Sequence, residues 1–362
     1  MAEGNNLVGV DIGSSSIKVC HIVETRKARV LRAVGYAPLP AQTIVGGHVM
    51  NASLVVDTLA QLVSKHKIRQ KKVALGVSGQ SVIIRIITVP IMTADELDQQ
   101  IRWEAEQHIP FDIRDVQIDY HVLRRHPDRG QMDIVLVAAK RDDINDYAQL
   151  AKQAKLKPVC VDVDAFCVQN LFEVTLGLPT DQTVALLNVG ASLATLNVIA
   201  RGASAFTRDI SSGGNSVNER IQRDTNMDFD QAEQFKRTHS SAFGANAAPA
   251  PNAPPRDNLA HRALYSACDT IAAELQRSLD FFMSQSSYSD IHHIYVTGGS
   301  AHLAPLRDII AKRVHCPVDV FNPVRYLTVD TRRVSQATLD ACDIQLSVAL
   351  GLSLRKEREN RL

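Results

Sequence analysis

Two short segments of this 362-residue chain share nearly the same pattern, although they lie far apart in the sequence. Residues 8–22 read VGVDIGSSSIKVCHI, and residues 185–199 read ALLNVGASLATLNVI. The gapless alignment pairs the polar residue before the turn, the glycine and a serine: Asp11 with Asn188, Gly13 with Gly190, and Ser15 with Ser192. Each segment predicts a strand, a tight turn and a returning strand. The repeat therefore predicts an α/β fold of two duplicated lobes with a cleft between them.

Both predicted turns contain residue types that bind phosphate. A glycine turn lets successive backbone N–H groups converge on one anionic oxygen, and serine hydroxyls add donors. We expect the two hairpins to contribute Gly13, Ser14, Ser15, Ser16, Lys18, Asn188, Gly190, Ala191 and Ser192. Asp11 is predicted to hold Mg²⁺ through water, since this ion keeps several waters and needs few carboxylates. Neither segment is a P-loop or a Rossmann glycine motif that opens a helix, and two ordinary β-turns are the alternative.

Further glycines and a charge pair predict where the rest of a nucleotide lies. Residues 294–306, IYVTGGSAHLAPL, predict a strand, a Gly-Gly turn and a helix start, against which a purine can lie. Glu233 and Lys236 are spaced for one helical face and are expected to contact the ribose and the adenine edge. A solvated charge pair is the alternative. The remaining expected nucleotide contacts are glycines and one serine: Gly213, Gly214, Gly298, Gly299 and Ser300.

The rest of the chain alternates strands and helices. Residues 80–158 predict a strand-helix-strand-strand-helix unit between the repeats, with a capping box at Thr93. An amphipathic helix is predicted near residues 261–284. We expect the first lobe to comprise residues 1–79, 159–182 and 336–362, and the insert to comprise residues 80–158. The second lobe is expected at 183–205 and 290–335, with its upper subdomain at 206–289. A Pro/Ala-rich loop at 242–257 of this upper subdomain is expected to be mobile.

Composition excludes several classes of function. The 40 basic and 39 acidic residues nearly cancel, so no nucleic-acid partner is expected. The six cysteines are scattered singly, which argues against a metal site or a disulfide framework. The most apolar window, residues 184–200, contains too many polar residues to span a bilayer. We therefore expect a soluble cytoplasmic protein without direct membrane insertion.

The motifs resemble those of a known group of proteins. DIGSSSIK, NVGAS and YVTGGSAHL resemble the two phosphate motifs and the adenosine motif of the actin-like ATPase superfamily, and the insert resembles that of its FtsA branch. IRWEAEQHIPF at 101–111, DVDAF at 162–166 and SVALGL at 347–352 resemble the PilM family of the type IV pilus machinery. This resemblance implies ATP or ADP with Mg²⁺ in the interlobe cleft. It also implies that the protein binds the cytoplasmic N-terminal peptide of PilN and so lies at the inner membrane through a protein partner.

The resemblance implies that the PilN peptide docks in a groove between the first lobe and the insert. Apolar residues of an extended-strand type are expected to hold it by backbone pairing and side-chain pockets: Leu75, Val77, Val82, Ile84, Ile86 and Phe111. Trp103 is expected to pack in the core. Other pilus inner-membrane and motor components are further expected partners, and self-association is left open.

One departure from the superfamily pattern bears on catalysis. Its second phosphate motif usually has Asp where this chain has Asn188, and an amide cannot act as a base. Asp11 and Asp164 are weak catalytic candidates, and Asp162 is a further one, so we expect nucleotide binding to exceed turnover, with at most a slow ATPase. The alternatives are a membrane-associated FtsA- or MreB-like filament protein and, less favoured, a small-molecule kinase of the same fold.

Overall fold

The computed structural model describes residues 3–26, 28–239, 255–286 and 288–358. The strands of these ranges are β1 Glu3–Asn6, β2 Val8–Ile12, β3 Ser16–Glu24, β4 Arg29–Pro38, β5 Ile44–Val45, β6 His48–Val49, β7 Lys72–Val77, β8 Val82–Pro90, β9 Val116–His126, β10 Gln131–Lys140, β11 Lys157–Val163, β12 Thr183–Val189, β13 Ala194–Ala200, β14 Ala203–Ile210, β15 His293–Thr297, β16 Val318–Val320, β17 Thr328–Val329 and β18 Lys356–Arg358. The α-helices are α1 Ala52–Lys65, α2 Ala94–His108, α3 Arg141–Gln153, α4 Asp164–Leu176, α5 Gly214–Thr225, α6 Phe229–His239, α7 Pro255–Gln285, α8 Ala304–Val314, α9 Gln336–Cys342 and α10 Ser347–Leu352.

The two repeated segments form matching hairpins in two different sheets, as predicted. The first hairpin, β2–β3, belongs to a sheet of order β11-β7-β2-β3-β4-β17, and the second, β12–β13, to a sheet of order β14-β13-β12-β15-β16. The turns close alike: the Gly13 N–H donates to the Ser16 carbonyl at 3.1 Å, and the Gly190 N–H donates to the Leu193 carbonyl at 2.9 Å. In both sheets the first hairpin strand also pairs in parallel with a neighbour, β7 or β15. The duplicated two-lobe fold is confirmed.

The insert is a small antiparallel sheet covered on one face by a helix. Its strand order is β8-β10-β9, and α2 packs Leu97, Ile101 and Ala105 against the sheet. The predicted capping box is present, since the Thr93 side chain accepts from the Glu96 N–H. The expectation that Trp103 packs in the core is wrong, because its side chain is 63% exposed. Trp103 follows Ile101 by two residues, a rotation of about 200°, so it projects from the opposite side of α2.

Other elements differ from the predicted boundaries. Helix α3 buries Leu150 and Ala151 in the first-lobe core with residues of α1, so it packs on the first lobe although it follows the insert strands. Strand β17 pairs in parallel with β4 of the first lobe, so the chain returns there before residue 336. Helix α7 begins at Pro255 and includes residues 255–257 of the predicted loop, while residues 242–254 of that loop lie outside the described residues.

Candidate functional site

The two hairpin turns face each other across the cleft between the lobes. The Ser192 hydroxyl donates to the Ser14 hydroxyl oxygen at 2.7 Å, which joins the first lobe to the second. Both turns line a cavity of about 730 Å³, whose wall includes Ser15, Lys18 and Ala191. A volume of this size is typical of small-molecule and cofactor sites, which span about 300–1,000 Å³.

The start of α5 closes one side of this cavity. The Gly214 N–H donates to the Gly190 carbonyl at 2.9 Å, so the helix is held against the second hairpin. A Cβ atom at Gly214 would lie 2.6 Å from Ser300 Oγ, which explains why the position needs glycine. Gly213 packs against the Ala191 carbonyl and does not line the cavity. Gly213 therefore supports the hairpin rather than a ligand.

The Gly-Gly turn after β15 forms a second wall. Gly298 has φ +88°, and a Cβ there would lie 2.7 Å from the Val189 carbonyl oxygen, so only glycine fits between β15 and the second hairpin. Gly299 and Ser300 line the larger cavity, and the Ser300 hydroxyl donates to the Gly190 carbonyl at 3.2 Å. The predicted adenosine motif and the second phosphate hairpin thus form one connected surface.

Glu233 and Lys236 lie on one face of α6 and line the larger cavity, as predicted. The Lys236 ammonium is 2.5 Å from Glu233 Oε2 and donates to the Gly214 carbonyl at 3.1 Å. Burial acts to raise the pKa of Glu233, but the neighbouring Lys236, Asn218 and Arg237 overcome it and lower this pKa to about 2. Glu233, and to a smaller extent Tyr36 of β4, raise the pKa of Arg237, and both Tyr36 and Arg237 line the larger cavity. The charge pair is therefore a fixed part of the cleft rather than a freely solvated pair.

A smaller cavity of about 210 Å³ adjoins the larger one and shares part of its wall. Its lining includes Asp11, Asn188 and Asp164, together with residues 76–81, which are the end of β7 and the β7–β8 connection. The Lys18 ammonium lies 3.1 Å from Asp11 Oδ2, so this cation faces the carboxylate across the first hairpin. The structure thus brings the two acidic candidates and Asn188 to one place, beside the turns predicted to hold phosphate.

Asp164 begins α4 and points into the smaller cavity. Its Oδ1 atom is buried and has no hydrogen-bond partner among the described residues. Burial, reinforced by the negative charge of Asp11, raises the pKa of Asp164 to about 7. Asp162, in contrast, pairs with Arg355 at 2.6 Å and lies outside both cavities, so it is not available for catalysis there.

The acidic groups fit a hydrated Mg²⁺ better than a fully protein-ligated metal. No cluster of three or more potential ligands from His, Cys, Asp and Glu occurs among the residues that the structure describes. Asp11 and the unsatisfied Asp164 oxygen provide two carboxylates at one cavity, a donor set that suits an ion carried in by phosphate oxygens and water. Asp11 and Asp164 would hold such an ion.

A contact from the second lobe fixes the connection between the first lobe and the insert. The Gly79 N–H, in the β7–β8 connection, donates to Asp209 Oδ2 on β14 at 2.7 Å. A Cβ atom at Gly79 would lie 3.6 Å from a methyl carbon of Leu193, which belongs to the second hairpin turn. Burial raises the pKa of Asp209 despite this bond. The connection between the first lobe and the insert therefore lies beside the same hairpin that lines the smaller cavity.

The residues predicted to bind a peptide do not share one surface. Val82, Ile84 and Ile86 alternate with Ile83 and Ile87, which pack toward α2, so these three lie on the opposite face of the insert sheet. Leu75 is fully buried in the first-lobe core, which removes it from any groove surface. Val77 is almost buried beside the smaller cavity, and Phe111 packs against the insert core beneath the Lys140 ammonium.

Two other details correct or extend the predicted site. Ser16 is almost completely buried and its hydroxyl lines neither cavity, because Ser16 begins strand β3 rather than the turn. Ser78 and Gln80 also line the smaller cavity, although they were not among the predicted site residues. The signal for them was the stretch GVSGQS, since it ends a buried strand that pairs in parallel with β2 and so emerges at the same sheet edge as Asp11.

The comparisons with known proteins agree with this geometry. The family described as type IV pilus assembly protein PilM matches residues 9–357. The chain belongs to the PilM family. A solved PilM structure, from the PilM–PilN type IV pilus biogenesis complex, is 26% identical, covers 98% of this chain and 99% of that chain, and has a TM-score of 0.84.

More distant solved structures share the fold alone. The ethanolamine utilization protein EutJ from Carboxydothermus hydrogenoformans is 14% identical, covers 96% of this chain and 89% of its own, and has a TM-score of 0.56. MreB5 of Spiroplasma citri bound to ADP is 12% identical and has a TM-score of 0.54, and the match covers 97% of this chain and 95% of that chain. These likenesses confirm the actin-like fold. Among the described helices, none combines the length and apolar character needed to cross a bilayer.

Proposed function

We propose that this PilM-family protein is an ATP-binding, actin-like scaffold of the type IV pilus inner-membrane assembly machinery. It binds ATP or ADP with Mg²⁺ between its lobes and the cytoplasmic N-terminal peptide of PilN between the first lobe and the insert. Through PilN it lies at the cytoplasmic face of the inner membrane, where it links this partner to the motor. The observation that carries the nucleotide part is the 2.7 Å contact between Ser14 and Ser192 at the 730 Å³ cavity.

The residues around the cleft fit the separate parts of a nucleotide. The Gly13–Ser15 and Gly190–Ser192 turns offer backbone N–H groups and hydroxyls to phosphate oxygens, and Lys18 supplies a countercharge. Glu233 and Lys236 also line the cavity, where a carboxylate suits a ribose hydroxyl. The Gly299–Ser300 turn leaves room for a flat base against the backbone. Two MreB5 structures carry ADP or AMPPNP, which supports a nucleotide of this class for the shared fold.

The insert face supports the peptide part of the proposal. Val82, Ile84 and Ile86 on β8 pair with Ala139, Val137 and Val135 on β10, which gives a continuous apolar strip opposite α2. Strand β8 is an edge strand of its sheet, so an extended peptide can combine backbone pairing with apolar side-chain contacts there. The likeness to PilM from the PilM–PilN complex makes PilN the expected source of this peptide.

The deciding experiment is a calorimetric titration of a PilN N-terminal peptide into the protein, with and without Mg·ATP. Ile84→Glu is expected to abolish peptide binding, because it buries a carboxylate in the apolar strip. The same variant should bind nucleotide normally, since Ile84 does not line either cavity. Trp103→Ala is the matched control, because this exposed side chain projects away from the sheet on α2.

Two outcomes would contradict the proposal. If the wild-type protein binds no peptide with or without Mg·ATP, the proposal that it binds PilN is wrong. Absence of ATP and ADP binding by the folded protein would remove the nucleotide part, independently of the peptide.

A further inference from the structure

One edge of the first lobe carries many exposed cations that neither the cleft nor the insert groove uses. After α1, residues 65–72 read KHKIRQKK and contain no acidic residue. The exposed cations of this segment are Lys65, Lys67, Arg69 and Lys71. The second segment, residues 152–157 at the end of α3, reads KQAKLK, and its exposed cations are Lys152, Lys155 and Lys157.

The two segments lie side by side. The Lys157 N–H donates to the Lys71 carbonyl at 2.7 Å, and β11 continues in parallel beside β7 from Lys157 and Lys72 onward. Lys72 itself is occupied, since its ammonium lies 3.1 Å from Glu357 Oε2. Within the described part of the chain, none of the other seven cations has a carboxylate at ion-pairing distance. We call these seven residues the basic edge.

Both helices that lead into the basic edge end in the same way. At the end of α1 the Ile68 N–H donates to the Val63 carbonyl, and at the end of α3 the Leu156 N–H donates to the Ala151 carbonyl. This pattern is the Schellman motif, in which the residue before the apolar one adopts the left-handed conformation and is usually glycine. Here that residue is lysine in both motifs.

The two left-handed lysines are unusual on backbone grounds. Lys67 has φ +52° and Lys155 has φ +60°, a region that costs free energy for any residue with a Cβ atom. Glycine or asparagine would relieve this cost at an exposed position without loss of packing. The two lysines thus place positive charge at both turns, at positions where glycine would be favoured on backbone grounds.

Helix dipoles explain only part of this charge. Cations in the last turn of a helix offset the partial negative charge at its C-terminus, which accounts for Lys65 and Lys152. Lys67 and Lys155 lie beyond the helix ends, Lys71 directly precedes β7, and Lys157 is the first residue of β11. Their mutual repulsion goes uncompensated in the isolated protein.

We propose that the basic edge binds the surface of a membrane that contains anionic phospholipids. Six of its seven cations are lysines, whose compact charges suit a diffuse layer of headgroups, whereas arginine is favoured where one group is gripped by two hydrogen bonds. The two segments contain no Phe, Tyr or Trp on which bases can stack, which argues against single-stranded nucleic acid. None of the seven lines either cavity described above, which argues against a pocket for one acidic side chain.

This inference rests on the proposed function in one respect, namely that a PilN peptide holds the protein close to the inner membrane. Strand β7 runs from Lys72, the residue after Lys71 of the basic edge, to the insert connection after Val77, a span of roughly 20 Å at 3.3 Å per residue. The basic edge and the first-lobe side of the peptide groove therefore belong to the same lobe. Binding to the PilN peptide and binding to lipid would therefore strengthen each other, because the second contact becomes an intramolecular event once the first has formed.

The test uses the full chain and vesicles, without any peptide. Vesicles of neutral phosphatidylcholine are compared with vesicles that contain about one third phosphatidylglycerol, at about 50 mM and about 300 mM salt, because screening weakens surface attraction at the higher salt. The double variant Lys67→Gly/Lys155→Gly removes two charges and relieves both left-handed positions. Its binding to anionic vesicles should fall roughly 25-fold, from roughly fivefold per cation near such a surface. Its melting temperature should rise.

The matched control removes two exposed cations from the second lobe, Arg262→Gln and Lys312→Gln, with the same change in net charge. This control should bind anionic vesicles as the wild type does. Equal binding to neutral and anionic vesicles, insensitivity to salt, or an equal loss in both double variants would overturn the proposal. Binding of poly-glutamate or oligo-dT without vesicle binding would overturn it in favour of another anionic partner.

The peptide titration separates this proposal from the proposed function. The glycine double variant should bind the PilN peptide like the wild type, because Lys67 and Lys155 lie at the opposite end of the first-lobe sheet. Vesicle binding that depends on the basic edge, together with absent peptide binding, would refute the PilN proposal alone. Peptide binding with no vesicle binding would refute only the proposal that the basic edge binds a membrane surface.

Discussion

Replacing Glu233 by glutamine tests whether the charge pair in the cleft stabilises the second lobe. The Glu233 carboxylate accepts from Asn218 at 2.7 Å and from Arg237 at 2.7 Å, and it lies 2.5 Å from the Lys236 ammonium. Its side chain is only 25% exposed, so water replaces little of what is lost. Glutamine keeps the shape and one acceptor oxygen but removes the charge.

The pKa shift sets an upper limit on the effect. The pKa of Glu233 falls from 4.5 to about 2, and each unit corresponds to about 1.4 kcal/mol, which gives at most about 3.4 kcal/mol. Burial lowers the pKa of Lys236 even though Glu233 opposes this, so the cost of burying the ammonium offsets part of the gain. We therefore expect Glu233→Gln to lower the free energy of unfolding at pH 7 by about 1.5–2.5 kcal/mol.

The pH dependence has a definite sign. A carboxylate whose folded pKa is depressed stabilises the protein above its unfolded pKa, and this contribution is lost as the pH falls toward the folded value. The difference between the wild type and Glu233→Gln should therefore be largest above pH 5. It should shrink by about 0.8 kcal/mol by pH 4, from the linkage relation between the two pKa values.

The assay is urea unfolding of both proteins at several pH values, without nucleotide. Glu106→Gln is the control, because Glu106 is an exposed residue of α2 for which we find no ion pair among the described residues. A difference below about 0.5 kcal/mol at pH 7, the range of ordinary surface substitutions, would show that the charge pair does not stabilise the second lobe. A difference that grows as the pH falls would contradict the expected sign of the pH dependence.

Three further substitutions test the smaller cavity and the contact between Asp209 and Gly79 in the β7–β8 connection. Asp11→Ala should weaken Mg²⁺-dependent retention of nucleotide roughly tenfold, the loss expected for a charged contact, when measured by gel filtration with Mg²⁺ or EDTA; equal retention in both would contradict the assigned role. Asn188→Asp should raise phosphate release roughly tenfold or more, since it restores a carboxylate beside Asp11, and an unchanged rate would show that Asn188 does not limit turnover. Asp209→Ala should lower the free energy of unfolding by about 1.5–3 kcal/mol, because the Gly79 N–H loses a charged acceptor. Because the bond between Asp209 and Gly79 joins the second lobe to the insert connection, the same variant should make peptide affinity less dependent on ATP. An unaltered dependence would show that this bond does not couple the nucleotide site to the peptide site.

Local patterns in the sequence predicted the elements that depend on near neighbours. The capping box at Thr93 and the two glycine hairpins form as expected, because each is fixed by residues within a few positions. The pairing of Glu233 with Lys236 follows from helical spacing alone.

The errors concern which surface a residue meets, and this depends on tertiary packing. Ile86 and Leu75 both look like apolar strand residues in the sequence, yet Leu75 is buried in the first-lobe core while Ile86 is 37% exposed. Trp103 is apolar but lies on the outer side of a helix whose inner stripe is already complete. Asp164 is the first residue of α4, and Asp162 lies two residues before it. Asp162 is unavailable because it forms an ion pair with Arg355, a residue far away in the sequence, and the local pattern does not predict this pairing.

The order in which the lobes are built along the chain has a consequence for synthesis. The second-lobe sheet comes from one continuous stretch, β12 to β16, whereas the first lobe needs β1–β7 and the segments after residue 328. Helix α10 packs so closely on β2 that a Cβ atom at Gly9 would lie 2.9 Å from Leu352 Cβ, and the Leu7 N–H donates to the Arg355 carbonyl at 2.8 Å. On the ribosome the second lobe can therefore fold while the first still waits for its last strands. A cleft able to hold a nucleotide exists only after nearly the whole described chain has emerged, so occupancy of that cleft marks a finished molecule.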